Sequence, residues 1–326
     1  MKEANLKIIK EVAKKNNLAL PDKIREFVSG QINNVYNLGD NYVIKIESDV
    51  EYIKGLFNHQ VALTTRLLQA GAKVPRIIDG GQDYLLMEKL PGDNLINGWR
   101  NFSVKEKENF IEQITEQLKI YHSLTFDNYS LDAYRGKEFV NYQEAMAEMV
   151  GFDQVDMDKL DGETKRKVDF LKNYFQDNLN ILNETKTAVL VHNDIQFENI
   201  FYEHNKITGI IDFDWSCQAP RDYELGKIVA FFIQPKHYVT KSLEKYYQGK
   251  KLTKEWQYFK KYYPEMFVAD NWLVRLKYYF IILDIWTIRE CQRNRWGRPA
   301  EVLAEVREEI DYVFASGKEF DNFILG

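Results

Sequence analysis

The stretch from Val189 to Trp215, VLVHNDIQFENIFYEHNKITGIIDFDW, limits what this chain can fold into more than any other. It opens and closes on short β-branched apolar runs, Val189 to Val191 and Ile210 to Ile211, which read as buried strands. Each strand delivers polar residues to its end: His192, Asp194 and Asn199 after the first, Asp212 after the second. Residues 199 to 212 read as a hairpin, apolar at Ile200 to Tyr202, polar at the turn Glu203 to Lys206, and apolar again from Ile207 to Ile211. Such a return sets Asp212 beside Asn199, so that an amide and a carboxylate from two strand ends share one place.

Phosphoryl transfer asks for such a set. The protein has little covalent work to do there, so it needs one carboxylate near the attacking hydroxyl and an amide plus a second carboxylate to hold Mg²⁺ against the phosphates. Asp194 on its tight loop is the candidate base. Any one of these residues alone is an ordinary turn former; their order, spacing and strand context carry the information.

His192-Asn193-Asp194 with Asn199, followed by Ile211-Asp212-Phe213-Asp214, resembles the catalytic and metal motifs of the aminoglycoside phosphotransferase and choline kinase superfamily. Against the protein-kinase pair H-R-D-x-x-x-x-N and D-F-G, Asn193 replaces the Arg and Asp214 the Gly, which points away from a protein substrate. The resemblance implies an α+β, bilobal protein-kinase-like fold. A small N-lobe, residues 1–89, carries an antiparallel sheet and one main helix; a larger, mostly helical C-lobe, residues 90–326, carries the catalytic loop, the metal site and the acceptor region. It further implies ATP as donor, with GTP left open, Mg²⁺ held by Asn199 and Asp212, and His192 as a residue that shapes the loop. Asp214 reads as loop support, with contact to a second metal as the other option. Asp222 matches a family Asp that braces the catalytic-loop backbone, and helix N-capping is its alternative.

Upstream, Leu6, Ile9, Val12 and Ala13 fall at helical spacing. Strand candidates follow in IREFVSG, NNVYNL and NYVIKIE, the last two joined across Gly39-Asp40. Lys45 alternates with Ile44 and Ile46 and so projects from the opposite face, where it resembles the kinase lysine that holds the α and β phosphates. Ser29-Gly30, with Asn33 and Asn34, is the candidate phosphate-covering turn, without a GxGxxG pattern. A helix from about Tyr52 to Ala70 carries Leu63, Leu67 and Leu68 on one side and stops at Gly71. In related kinases this helix supplies a Glu to the lysine; here the place is taken by Gln60, which can accept a bond from Lys45 but brings no charge. Either Glu47 or Glu51 substitutes, or the lysine is held less firmly. Strands Arg76 to Asp79 and Tyr84 to Leu90 precede the break at Pro91-Gly92. MEKLPG resembles the inter-lobe hinge, which implies Met87 at the back of the pocket and the Glu88 carbonyl and Leu90 amide on the base.

Ser103 and Glu106 form a capping box for a helix through Phe110, Ile111, Ile114 and Leu118 to about Tyr121. Leu171, Phe175 and Leu179 form a buried stripe in the polar, helical stretch that follows. From Lys236 to Arg298 there are 14 Lys and Arg against 6 Asp and Glu, a balance unfavourable to a polycationic acceptor. The many aromatics there, Trp256 and Trp286 among them, read first as core.

The formal net charge of -5 gives no general reason for nucleic acid binding. The N-terminal residues lack a signal-peptide layout, and Tyr278 to Ile288 is too short for a membrane span and contains Asp284. Two cysteines, Cys217 and Cys291, suit a reducing cytoplasm. The expectation is a cytoplasmic small-molecule kinase acting on a hydroxyl of a sugar, amino alcohol or antibiotic. The alternative, raised by Gln60 and the glycine-poor turn, is a nucleotide-binding pseudokinase serving as an interaction module. Oligomeric state is not legible.

Overall fold

A computed structural model describes residues 2–27, 33–47, 56–131, 137–184, 187–239, 241–269, 271–294, 297–315 and 318–326. Ser29, Gly30 and Glu51 lie outside them.

In the N-lobe, strands β1 (Arg25–Phe27), β2 (Asn34–Asn37), β3 (Tyr42–Ile46), β4 (Ile77–Gly80) and β5 (Tyr84–Glu88) form an antiparallel sheet in the order β1-β2-β3-β5-β4. The two faces of β3 have different company. Ile44 and Ile46 are buried with Tyr36, Leu38 and Leu86 against Ile9 and Val12 of helix α1 (Glu3–Lys15), whereas Lys45, paired in register with Val35 and Leu85, is buried toward the C-lobe. Helix α1 has Glu3 in its first turn and Lys14 and Lys15 in its last, charges that suit its dipole. Its end is pinned by Lys15 Nζ and Asn16 Nδ2, each 2.8 Å from a carboxylate oxygen of Asp79.

Helix α2 (Leu56–Gln69) buries Leu63 and Leu67 in the large core that belongs mainly to the C-lobe. Leu68, grouped with them by sequence, is 37% exposed, because one residue further round a helix is a turn of about 100°. Gly71 ends the helix at φ +85°, a left-handed conformation that costs any residue with a Cβ.

The C-lobe holds two small antiparallel sheets. One joins β6 (Asp93–Asn94), β9 (Ile200–Glu203) and β10 (Lys206–Ile210); the other joins β7 (Thr125–Phe126), β8 (Ala188–Val191) and β11 (Cys217–Ala219). Around them pack α3 (Leu95–Trp99), α4 (Val104–Tyr121), α5 (Tyr142–Val150), α6 (Gly162–Asp177), α7 (Leu225–Ile233), α8 (Lys241–Tyr247), α9 (Thr253–Tyr262), α10 (Trp272–Gln292), α11 (Pro299–Ile310) and α12 (Lys318–Leu325). The Ser103–Glu106 capping box is present at α4, whose Phe110, Ile111, Ile114 and Leu118 face the core. Helix α7 is apolar nearly all round and buried accordingly. Trp256, Phe259, Tyr278 and Tyr279 are likewise core. Among the described residues no helix is long and apolar enough to cross a membrane.

Candidate active site

Strand β8 is wholly buried and ends by turning its polar successors into the space between the lobes. The turn is secured by Glu224, 0% exposed: Oε2 accepts the His192 amide and Oε1 the Asn193 amide, both at 2.8 Å. Asn193 takes a positive φ of 59°, a conformation that Asn tolerates better than most residues. The buried His192 ring accepts the Asp194 amide at Nδ1 (3.2 Å), which leaves Nε2 protonated to donate to the Ile211 carbonyl (3.0 Å). The imidazole thus ties the loop to the strand end that carries Asp212.

The next residues fix the Asp194 carboxylate. Asn199 closes a 3₁₀ turn, Phe197–Asn199, and its Nδ2 donates to the Asp194 carbonyl (2.9 Å) and to Asp194 Oδ2 (2.8 Å). Gln196 Nε2 adds a bond to the same oxygen at 3.2 Å. Among the described residues Asp194 Oδ1 accepts no bond. The β9–β10 hairpin turns at His204 and Asn205, both at positive φ, as a tight hairpin turn requires. Its return is completed when the Ile211 amide donates to the Asn199 carbonyl at 2.9 Å. That single bond brings Asp212 beside Asn199. Asp212 itself is left-handed, φ 69° and ψ 61°, and its side chain is 40% exposed.

Lys45 meets this group from the N-lobe. Its ammonium lies 2.9 Å from Asp212 Oδ1 and 2.5 Å from Asp214 Oδ1. Burial alone favours the neutral amine, but the charges of Asp212 and Asp214 outweigh it and push the lysine pKa up. Asp214 is held by three residues: Lys45 and Gln60 Nε2 donate to Oδ1, and Asn33 Nδ2 donates to Oδ2 at 2.8 Å. Burial pushes the Asp214 carboxyl up, against the pull of Lys45.

Two expectations change here. Gln60 does not accept from Lys45; it donates to the carboxylate that Lys45 also grips, because a neutral amide beside a buried acid does most as a donor. Glu47 is not the stand-in either, since the carboxylates on Lys45 come from Asp212 and Asp214. A third concerns Asp222. Its oxygens accept Arg275 Nε at 2.6 Å, Arg275 Nη2 at 2.9 Å and Tyr279 OH at 2.6 Å, so it anchors α10 and leaves the loop amides to Glu224. The sequence signal for Glu224 was its setting: an acid between Tyr223 and Leu225, at the mouth of a helix whose one charged side chain is Lys227, sits where burial is expected and so needs donors.

At the hinge, Met87 faces Val43 and Ile77 in the sheet. The Glu88 amide donates to the Arg76 carbonyl at 2.9 Å, while among the described residues the Leu90 amide donates to no acceptor. Leu90 rests on Gly209, where an added Cβ would come within 2.6 Å of it. Asn34 opens β2 opposite Ile46. His122, at the end of α4, is held at Nδ1 by Tyr263 OH (2.8 Å).

Of the basic residues counted between Lys236 and Arg298, Lys251 lies over the Tyr312 ring, Lys260 on the Ile324 carbonyl and Lys261 on Glu108. Nearer Asp194 is Tyr238, whose phenol is pushed up by burial and then by the charges of Glu309, Asp194 and Asp284.

Solved structures similar to this chain cover about 95% of it. They include aminoglycoside phosphotransferase APH(2")-IIa in a ternary complex with streptomycin and ATP (16% identity, 95% of this chain and 97% of that one, TM-score 0.66). A thermostable mutant of APH(4)-Ia with AMP-PNP and hygromycin B gives 14% identity over 95% and 98%, TM-score 0.69. ADP-bound APH(2'')-Ib gives 17% identity over 95% and 98%, TM-score 0.65. At such identities the likeness speaks for the fold. No curated protein matches the sequence. The sequence profile of the phosphotransferase enzyme family matches residues 23–256, and on that match this chain, a bilobal kinase-like protein, belongs to the phosphotransferase enzyme family.

Proposed function

We infer that this protein transfers the γ-phosphoryl group of ATP to a hydroxyl of a small molecule, with Asp194 as the catalytic carboxylate. The observation that carries this reading is the convergence of Asp194, Asn199 and Asp212 from one loop and one hairpin, with Lys45 arriving from the opposite lobe. Because Gln196 and Asn199 both occupy Asp194 Oδ2, the other oxygen is left to accept the proton of the attacking hydroxyl. The hydroxyl's own oxygen bonds to the γ-phosphorus as the bond from that phosphorus to the β–γ bridging oxygen breaks, and ADP departs.

The residues fit a divalent cation. Asn199 spends its amide hydrogens on Asp194, which leaves its side-chain oxygen Oδ1 to serve as a ligand, and Asp212 offers a half-exposed carboxylate. Two protein oxygens, with phosphates and water for the rest, suit Mg²⁺. When bound, Mg²⁺ would neutralise charge on the β- and γ-phosphate oxygens. Lys45 would hold the phosphates deeper in the cleft, and the Glu88 carbonyl and Leu90 amide would read the base.

The pseudokinase alternative drew on a lysine without its acidic partner, and that motive weakens because Lys45 sits on two carboxylates. ADP release over a panel of sugars, amino alcohols and aminoglycosides tests the proposal. Asp194→Ala should cut turnover at least about a thousandfold with ATP affinity largely kept, whereas Asp212→Ala should also weaken Mg²⁺-dependent ATP binding. Undiminished turnover in either variant, or ADP release with no acceptor in the panel, counts against it.

A further inference from the structure

The geometry points to Asp214 as the positioning residue for Lys45 and the bolt between the lobes, doing from the C-lobe what a carboxylate on helix α2 does elsewhere; this rests on the nucleotide-binding reading above. Three elements of the N-lobe reach the same side chain. Lys45 of β3 and Gln60 of α2 both donate to Oδ1, and Asn33, which directly precedes β2, donates to Oδ2. The three donors are themselves buried.

Charge accounting separates the two aspartates. Lys45 brings one positive charge to two carboxylates, and one of these is half-exposed while the other is shut in: the side chain of Asp212 is 40% exposed and that of Asp214 4%. Asp212 is thus the carboxylate that a divalent cation from solvent would engage, and Lys45 would keep one anionic partner, Asp214, to anchor its ammonium beside the phosphates. A buried carboxylate needs this many donors to remain charged. Gln60 supplies one without adding a second negative charge, which is why an amide stands at this place of α2. A glutamate there would face Asp214 at hydrogen-bonding distance with one lysine between them, and like charges that close repel strongly.

The test moves the charge from one lobe to the other. ATP binding with Mg²⁺ is measured by calorimetry, and unfolding of the nucleotide-free protein by urea, for Asp214→Asn, Gln60→Glu, Asp214→Asn with Gln60→Glu, and Lys45→Met with and without Asp214→Asn. We expect Asp214→Asn to weaken ATP binding about tenfold. Gln60→Glu alone should also weaken it, yet in the Asp214→Asn background it should return affinity to within about threefold of wild type. Lys45→Met should cost far less after Asp214→Asn than before it. A purely structural role for Asp214 would not reverse the sign of the Gln60→Glu effect. Unchanged affinity in Asp214→Asn, or losses that simply multiply, overturns the assignment. If Asp214→Asn does not fold, recovery of soluble, ATP-binding protein by Gln60→Glu supports it and no recovery overturns it. If wild type itself binds no ATP, the nucleotide reading fails separately, and the urea cycle decides the pairing: coupling between Lys45 and Asp214 supports it, additivity overturns it.

Discussion

Glu224 holds two consecutive amides with its two oxygens, and nothing smaller or neutral does this as well. A glutamine there accepts with one oxygen and presents an N–H to the second amide, leaving a buried donor unpaired. Glu224→Gln should therefore cost about 2 kcal/mol in urea unfolding, whereas Glu224→Asp, shorter but still able to accept twice, should cost less. At this scale the sequence was informative where chemistry dictates spacing. That Asp194, Asn199, Asp212 and Lys45 meet was legible because the loop and hairpin spacing brings the first three together and the alternation of Ile44, Lys45 and Ile46 turns the lysine away from the α1 side of the sheet. The bonds of Gln60 and Asp214 were not, because they join positions 154 apart in the chain, and no local pattern tells an amide which of two acids it will meet. The exchange of roles between Asp222 and Glu224 has the same origin: the partners that claim Asp222, Arg275 and Tyr279, arrive from a distant helix.

Elements were legible where punctuation was strong. The β9–β10 hairpin, the Ser103 cap and the break at Pro91-Gly92 all follow from turn chemistry. The two-residue strands β6 and β7 do not, since tertiary pairing alone makes them strands. Gly92 shows how tightly the break is built: φ is +89°, and an added Cβ would lie 1.9 Å from the Tyr202 carbonyl oxygen. Both effects act on β6, whose Asp93 pairs with Tyr202. Gly92→Ala should thus lower stability by about 3 kcal/mol and weaken ATP binding through the displaced hinge; differential scanning calorimetry with calorimetric titration checks both. By contrast Gly39, at φ +102° with open space around it, should lose only the backbone penalty of about 1 kcal/mol on change to Ala.

For the whole molecule, the sequence conveyed the bilobal plan but not which acids the C-lobe encloses. Asp284 of α10, 1% exposed, is pushed well up by burial and the neighbouring charge of Glu309, whereas the partly buried Glu309 is pushed up to about 7 by desolvation, with Asp284 and Lys227 pulling it down and Glu305 raising it. An acid whose folded pKa exceeds its ordinary value of 4.5 binds its proton more tightly when folded. Its stabilising share is complete below the ordinary value and is lost as pH rises through about 7. The urea midpoint should therefore fall between about pH 5 and about pH 8, by about 2 kcal/mol of stability. Glu309→Gln should flatten that slope, and an unchanged slope in this variant would contradict the assignment.

The backbone bond from Ile211 to Asn199 has one more result. The groups proposed as proton acceptor, cation ligands and lysine anchor all come from residues 194 to 214, and with His192 they are cross-tied within one stretch. Separation of the two lobes would carry these groups along together and release the Lys45 ammonium with the Gln60 and Asn33 amides. On the proposed reading, a departing product would split the centre along a single seam, and what it left behind would need no reassembly before the next round.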